Sequence, residues 1–243
     1  MDERWSLKTN WEVEDEIFKM KRKVNNRNSH DYPHIIGSFY SARFKKPVHY
    51  ESLNERLFYY YLEIDRNVAR YYEQPIEVPI TKENGQKWNH IPDVIFFKDG
   101  SIPMLCQIKE SEEEAEKDED FHLINHYCEE FAQAQGWFYE VIYPKTLPEV
   151  YQRNLRQLKR FMHRRKYYAE WEEKVIQRLI YLGTCSIRRL AEQFSDRTDS
   201  LMLIPLVYYL IVVGVFIVDF NQPITSNSLV ICNQGRYISP ISL

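Results

Sequence analysis

The apolar positions of this chain change period several times, and each change marks an element. Over residues 11–24, Val13, Ile17, Met20 and Val24 recur at helical spacing. Acids (Glu12, Glu14, Asp15, Glu16) lead that stretch and bases (Lys19, Lys21, Arg22, Lys23) close it, the order a helix dipole favours. Residues 25–34 are polar and read as a loop, and Pro47 argues against a central strand over 39–50. Leu53, Leu57 and Tyr61, with Phe58 and Leu62, predict a helix over 51–63. A strand is expected near 72–80. Residues 91–97 and 102–109 read as a hairpin turning at Lys98-Asp99-Gly100. Residues 110–120 are too acidic to bury and predict a mobile loop or a fraying helix start. A helix over 121–135, with Gly136 at its C-cap, precedes a short buried strand over 137–143 that Pro144 stops. The order helix, three strands, helix, strand describes an α/β layer able to cover both sheet faces.

The second part of the chain has another character. Residues 148–166 predict an amphipathic helix rich in bases, among them Arg153, Arg156, Lys159, Arg160, Arg164, Arg165 and Lys166. Helices over 170–182, 186–194 (capped by Ser186) and 200–213 follow. An apolar strand after Gly214 runs to Phe220, and a turn over 223–227 leads to a strand at 229–232. Three helices and a hairpin make a winged-helix pattern. The expected domains are therefore 1–147, a basic connecting helix over 148–166, and a winged-helix-like domain over 167–243. Residues 201–218 are 18 consecutive uncharged positions, long enough for a membrane span. Pro205 and Gly214 interrupt them, and Tyr208 and Tyr209 sit in the middle, which suits a buried helix running into a buried strand; no membrane association is expected.

With 243 residues, 44% of them apolar, and 18 Tyr, 13 Phe and 5 Trp, the chain can build a sizeable core. A net charge of −3 excludes bulk coating of nucleic acid, so any DNA contact must use local basic patches. Cys106, Cys128, Cys185 and Cys232 are scattered with no C-x-x-C, which argues against a zinc site or disulfide framework and fits a reducing cytoplasm. The charged start, Met1-Asp2-Glu3-Arg4-Trp5, has no apolar signal region.

Three stretches carry chemistry: Glu51 to Glu55, His90-Ile91-Pro92-Asp93, and Gln107-Ile108-Lys109. A carboxylate opens one strand, a ligand-x-Lys pair closes the next, and an acid on the preceding helix completes the set. Phosphodiester hydrolysis needs such a grouping, with oxygen ligands for Mg²⁺ and a cation near the attacking oxygen. Gln107 and Lys109 project from one strand face, and antiparallel pairing can bring Asp93 beside them. Asp93 is suited to bridging metal ions, Gln107 offers a neutral amide oxygen, and Lys109 can orient water or stabilise charge on phosphorus. Glu51 and Glu55 share a helix face at i, i+4. Glu55 is the chosen ligand, because Glu51, at the first turn, could simply satisfy the helix dipole; Glu51 stays as the alternative.

The run Glu51-Ser52-Leu53-Asn54-Glu55-Arg56-Leu57-Phe58, then Asp65, Val68, Tyr72, Glu73-Gln74-Pro75, Pro92-Asp93 and Gln107-Ile108-Lys109, resembles the TnsA family, the endonuclease subunits of bacterial heteromeric cut-and-paste transposases. The resemblance covers about residues 36–145. It implies a restriction-endonuclease-like, PD-(D/E)xK fold for the first domain, with Glu55, Asp93, Gln107 and Lys109 at catalytic positions. The implied metal positions are Glu55, Asp93, Gln107 and Ile108, for Mg²⁺ with Mn²⁺ as substitute. It also implies cleavage of the 5′ strands of double-stranded DNA at transposon ends, while an integrase-type transposase cuts and joins the 3′ strands. An ATP-dependent regulator is expected to contact the C-terminal domain. The rivals are a stand-alone repair or restriction nuclease of the same fold and a non-catalytic DNA-binding or scaffold protein.

Other features are read more plainly. His122 and His126 have metal-pair spacing without the accompanying glutamate, and a structural or solvent-facing pair is expected. Arg160, Arg164, Arg165 and Lys166 could follow DNA phosphates or form a solvated face. Arg188 and Arg189 could touch DNA. The segment 201–213, where a recognition helix would lie, is almost wholly apolar and suits packing against protein.

Overall fold

The computed structural model describes residues 4–22, 35–41 and 43–233. The chain divides into two compact units, one of residues 1–40 and 46–147 and the other of residues 41–45 and 148–243.

In the first unit a 3-10 turn, Trp5–Leu7, precedes helix α1, Glu12–Ile17. Strands β1 (Gly37–Ser41) and β2 (Lys46–Tyr50) pair with each other, and helix α2 (Leu53–Ile64) follows. Then come β3 (Val68–Glu73), β4 (Val78–Thr81), β5 (Lys87–His90), β6 (Val94–Lys98) and β7 (Met104–Ile108). Helices α3 (Glu112–Ala115) and α4 (Phe121–Ala134) lead to β8 (Phe138–Ile142). The main sheet has the order β3-β6-β7-β8, antiparallel except for β7 and β8, which are parallel because α4 carries the chain back across one face. Ile95, Phe97 and Leu105 on that face pack with Cys128 and Ala132 of α4 and with Phe18. On the other face Phe58 and Tyr59 of α2 meet Phe96 and Tyr71 at ring-centroid distances of 6.0 and 5.8 Å.

Several expectations shift. The helix expected over 11–24 is six residues long, and Val13 and Ile17 are 65% and 52% exposed. Aromatic rings replace that aliphatic stripe: Trp5 and Trp11 pack on Phe97 at 4.9 and 5.1 Å, and Phe18 is buried just beyond the helix. Large rings remove more apolar area from water than aliphatic side chains do, and so decide which face docks. Val24 lies outside the described residues. The strand expected near 72–80 is two strands, because Gln74 adopts a left-handed backbone (φ 46°) ahead of Pro75, and β4 pairs with β5 in a separate hairpin. The hairpin of β6 and β7 turns where expected, with Gly100 supplying φ 79°. β8 is not a buried strand: it is the sheet edge, and its Phe138 is 52% exposed.

The second unit begins with α5 (Glu149–Leu158) and a 3-10 turn, Lys159–Phe161. The long basic helix expected over 148–166 therefore stops early, and Arg164, Arg165 and Lys166 lie beyond it. Helix α6 (Tyr168–Leu182), strand β9 (Thr184–Ser186), α7 (Ile187–Glu192), α8 (Ser200–Val212), β10 (Phe216–Ile217) and β11 (Leu229–Cys232) complete it. β9 was not anticipated; it joins an antiparallel sheet of order β10-β11-β9. Ser186 caps α7 by accepting from the Arg189 N–H, and Asp199 caps α8. Among the described residues no helix is long and apolar enough to cross a membrane; the uncharged stretch is α8 followed by a turn and β10.

Candidate active site

The end of the main sheet where β6 begins and β7 stops gathers the charged residues. Asp93 lies one residue before β6 and Gln107 one before the end of β7, and the antiparallel register of Val94 with Cys106 sets the two opposite each other. The Gln107 amide donates to Asp93 Oδ2 at 2.6 Å, and the Ile108 main-chain N–H donates to the same oxygen at 2.6 Å. The Asp93 main chain is tied down as well: its N–H donates to the Cys106 carbonyl at 3.0 Å, and its carbonyl accepts from the Gln74 N–H at 2.8 Å and the Tyr59 hydroxyl at 3.1 Å.

Glu55 stands in the first turn of α2. Ser52, the N-cap, accepts from the Glu55 N–H at 3.0 Å, and Glu55 Oε2 accepts from the Glu51 N–H at 2.9 Å. This is close to a capping box, in which side chains satisfy backbone donors at a helix start. Glu51 precedes the N-cap, so the two acids are not successive positions on one helix face as expected, and the Glu51 carboxylate pairs with Arg22. Glu55 itself is 7% exposed.

Electrostatics link these groups. Burial pushes the Asp93 carboxyl well above the usual range, the Glu55 charge pushes it further, and the Ile108 N–H and Lys109 oppose both. Burial likewise raises Glu55, against the hydrogen bonds from Glu51 and Ser52. A carboxylate desolvated beside another carboxylate favours its proton, or a cation in place of that proton. Lys109, just past β7, donates its main-chain N–H to the Ile142 carbonyl at 3.0 Å, and its ammonium lies 3.7 Å from Asp118 Oδ2. Asp118 belongs to the acidic stretch 110–120, which contains α3 capped by Ser111.

The donor set suits a hard divalent ion. Glu55 and Asp93 offer carboxylate oxygens, and burial raises both above the usual carboxylate range. Among the described residues no three of His, Cys, Asp and Glu are grouped to hold a metal. His122 and His126 are exposed and pair with Glu116 and Glu130.

The sequence pointed to Glu55, Asp93, Gln107, Ile108 and Lys109, and the structure places all five at this end of the sheet. Arg160, Arg164, Arg165 and Lys166 are exposed residues of the second unit, with Arg164 donating to Glu172 at 2.6 Å. Three neighbours had no assigned role. Tyr59 holds the Asp93 carbonyl, Gln74 holds it through a left-handed backbone, and His90 contacts the Gln107 amide oxygen at 2.7 Å. None of the three had a sequence signal: the following Pro75 favours extended backbone at Gln74, not the positive φ it adopts.

Residues 65–143 match the family model described as TnsA-like endonuclease N terminal. The match takes in Asp93, Gln107 and Lys109 and begins after Glu55. No curated protein matches the chain.

Proposed function

From a TnsA-like endonuclease N-terminal domain in the first unit, we propose that this protein is the DNA endonuclease subunit of a transposase complex, hydrolysing the 5′ strands at transposon ends while an integrase-type transposase cuts and joins the 3′ strands. The observation that carries the reading is the direct Gln107–Asp93 hydrogen bond at 2.6 Å, one residue from Lys109, with the Glu55 charge felt at Asp93. We class the first unit as restriction-endonuclease-like, with the Asp, Gln-x-Lys set in place of the usual second carboxylate. Its support is a mixed sheet covered by α2 and α4 with these residues at one end.

Mg²⁺, or Mn²⁺ in its place, would polarise the scissile phosphate and lower the pKa of the attacking water. Asp93 and Glu55 would hold it, with Gln107 and Ile108 as neighbouring positions. Two carboxylates are a sparse set, so affinity should lean on the substrate phosphate. Lys109 orients the nucleophile or stabilises charge developing on phosphorus, and Asp118 keeps its ammonium at the site mouth until DNA arrives.

The second unit is read as winged-helix-like, from its order of helix, strand, two helices and two strands. Eight residues of α8 are buried, so this helix is core and does not read bases. We assign the unit to docking of the ATP-dependent regulator, with Arg160, Arg164, Arg165 and Lys166 available to DNA phosphates.

The test is strand-specific cleavage in the assembled complex. Asp93→Ala or Lys109→Ala should reduce 5′-strand cleavage by about 10²-fold or more and leave 3′-strand cleavage intact. Normal 5′ cutting by either variant rejects the site. Efficient Mg²⁺-dependent nicking of supercoiled plasmid by the chain alone would favour a stand-alone nuclease, and absence of Asp93-dependent Mn²⁺ binding would favour a scaffold.

A further inference from the structure

The hydrogen bonds around Gln107 have one self-consistent assignment. Asp93 Oδ2 already accepts from the Ile108 N–H, so the Gln107 group facing it at 2.6 Å is the amide NH₂. The amide oxygen then faces His90 Nε2 at 2.7 Å, and that nitrogen must carry the ring proton. His90 is held for this contact at the last position of β5, in register with Val78 of β4, and Ile91 and Pro92 connect it to Asp93. Asp93 thus selects the NH₂ end of the amide and His90 fixes its oxygen end. Rotated by half a turn, the amide would set its oxygen against the Asp93 carboxylate.

We propose that His90 is a positioning residue of the nuclease site. Its Nε2–H holds the Gln107 oxygen, the Gln107 NH₂ thereby holds Asp93 Oδ2, and Asp93 Oδ1, which has no hydrogen-bond partner among the described residues, is presented to a divalent cation. Gln107 thereby serves as a donor to the metal-binding carboxylate. This explains the amide at a place where the motif usually has a carboxylate. A glutamate at 107 could not donate to Asp93 and would add a charge to a pair of carboxylates already in conflict. The inference rests on the nuclease reading and deepens it, because it names what orients the metal-binding oxygen.

Two measurements on the full chain test it. In the first, the Gln107 side-chain amide is followed by NMR in ¹⁵N-glutamine-labelled protein, its signal assigned by its loss in Gln107→Ala. In the second, Mn²⁺ is titrated in the absence of DNA. His90→Ala should shift the Gln107 amide signals and weaken Mn²⁺ binding about 10- to 100-fold, the usual cost of losing a group that orients a ligand. His90→Gln, whose amide nitrogen can occupy the place of Nε2, should recover most of that loss. On a Gln107→Ala background, His90→Ala should cost little more, since the two act in one chain. Unmoved amide signals, unchanged Mn²⁺ affinity in His90→Ala, or an undiminished effect on the Gln107→Ala background would overturn the inference while Asp93-dependent Mn²⁺ binding in the parent kept the nuclease reading alive. A parent protein that binds no Mn²⁺ through Asp93 would remove the nuclease reading and, with it, the role given to His90.

Discussion

Two sites, one in each unit, bury polar side chains on opposite terms. In the second unit, Asn154 is 1% exposed and fully used. Its Nδ2 donates to the carbonyls of Phe220 and Gln222 at 3.0 and 2.8 Å, and its Oδ1 accepts from the Ile224 N–H at 3.0 Å. One amide satisfies three backbone groups of the segment between β10 and β11, and it carries no charge. In the first unit, Asp93 and Glu55 are held in burial that opposes their charge. Beside them, Glu73 Oε2 and Gln74 Oε1 are buried with no hydrogen-bond partner among the described residues. Gln74 also holds a left-handed backbone that costs on the order of 1 kcal/mol in a residue with a Cβ. Burying polar groups is unfavourable unless they are bonded. A chain that meets this requirement at Asn154 and leaves it unmet around Asp93 gives up stability at one sheet end, the pattern a functional site would leave.

The largest effect that would sharpen this contrast is on cleavage. Glu55→Gln keeps an oxygen for the Glu51 N–H, and so preserves the helix start, but removes the charge. It should lower 5′-strand cleavage about 10²- to 10³-fold with an unchanged circular dichroism spectrum. Glu51→Gln, which only releases Arg22, should leave the rate within a few-fold of the parent. If the two results were exchanged, Glu51 would be the ligand.

Next in size is the structural amide. Asn154→Ala leaves three backbone groups unpaired in the core of the second unit and should cost about 2–4 kcal/mol in chemical denaturation. Mn²⁺ affinity should not change. A loss of Mn²⁺ binding would break the contrast, because it would give Asn154 a share in the site.

Asp93→Asn should behave in the opposite way. It removes a half-buried charge and should stabilise the metal-free protein by on the order of 1 kcal/mol while abolishing metal binding. The sign of its pH dependence follows from the raised carboxyl values of Asp93 and Glu55. The stability these two groups contribute is full below their ordinary values, 3.8 and 4.5, and is lost as pH rises through the raised ones. The gain from Asp93→Asn should therefore be largest near neutral pH and shrink towards pH 4, as thermal melts at several pH values would show. The smallest effect is expected at Arg164→Ala, which gives up an exposed ion pair with Glu172 and should change stability by no more than about 1 kcal/mol.

Much of this was legible along the chain, for reasons particular residues make clear. The Lys98-Asp99-Gly100 turn marked the hairpin of β6 and β7, so Asp93 near Gln107 was legible, while the exact register, Val94 with Cys106, came from the structure. Ser52 three residues before Glu55 carries the signature of a helix start, yet the spacing of Glu51 and Glu55 alone placed both acids on the helix and so misplaced Glu51. The short α1 and exposed Val13 were missed because periodicity weighs a valine and a tryptophan alike, whereas the sheet selects the larger rings. His90 was invisible as a contributor, since its contact with Gln107 spans 17 residues and two separate sheets.

What the order of residues determined by itself was local: where turns fall, which positions alternate across a strand, and which residue types could hold a metal or move a proton. Those properties depend on backbone geometry repeated over a few residues. What only the tertiary structure decided was which of those groups lose water together. The conflict between Glu55 and Asp93, the engagement of the Gln107 oxygen by His90, and the full satisfaction of Asn154 all depend on segments far apart in the chain. Their strength comes from burial, which no stretch of sequence creates alone.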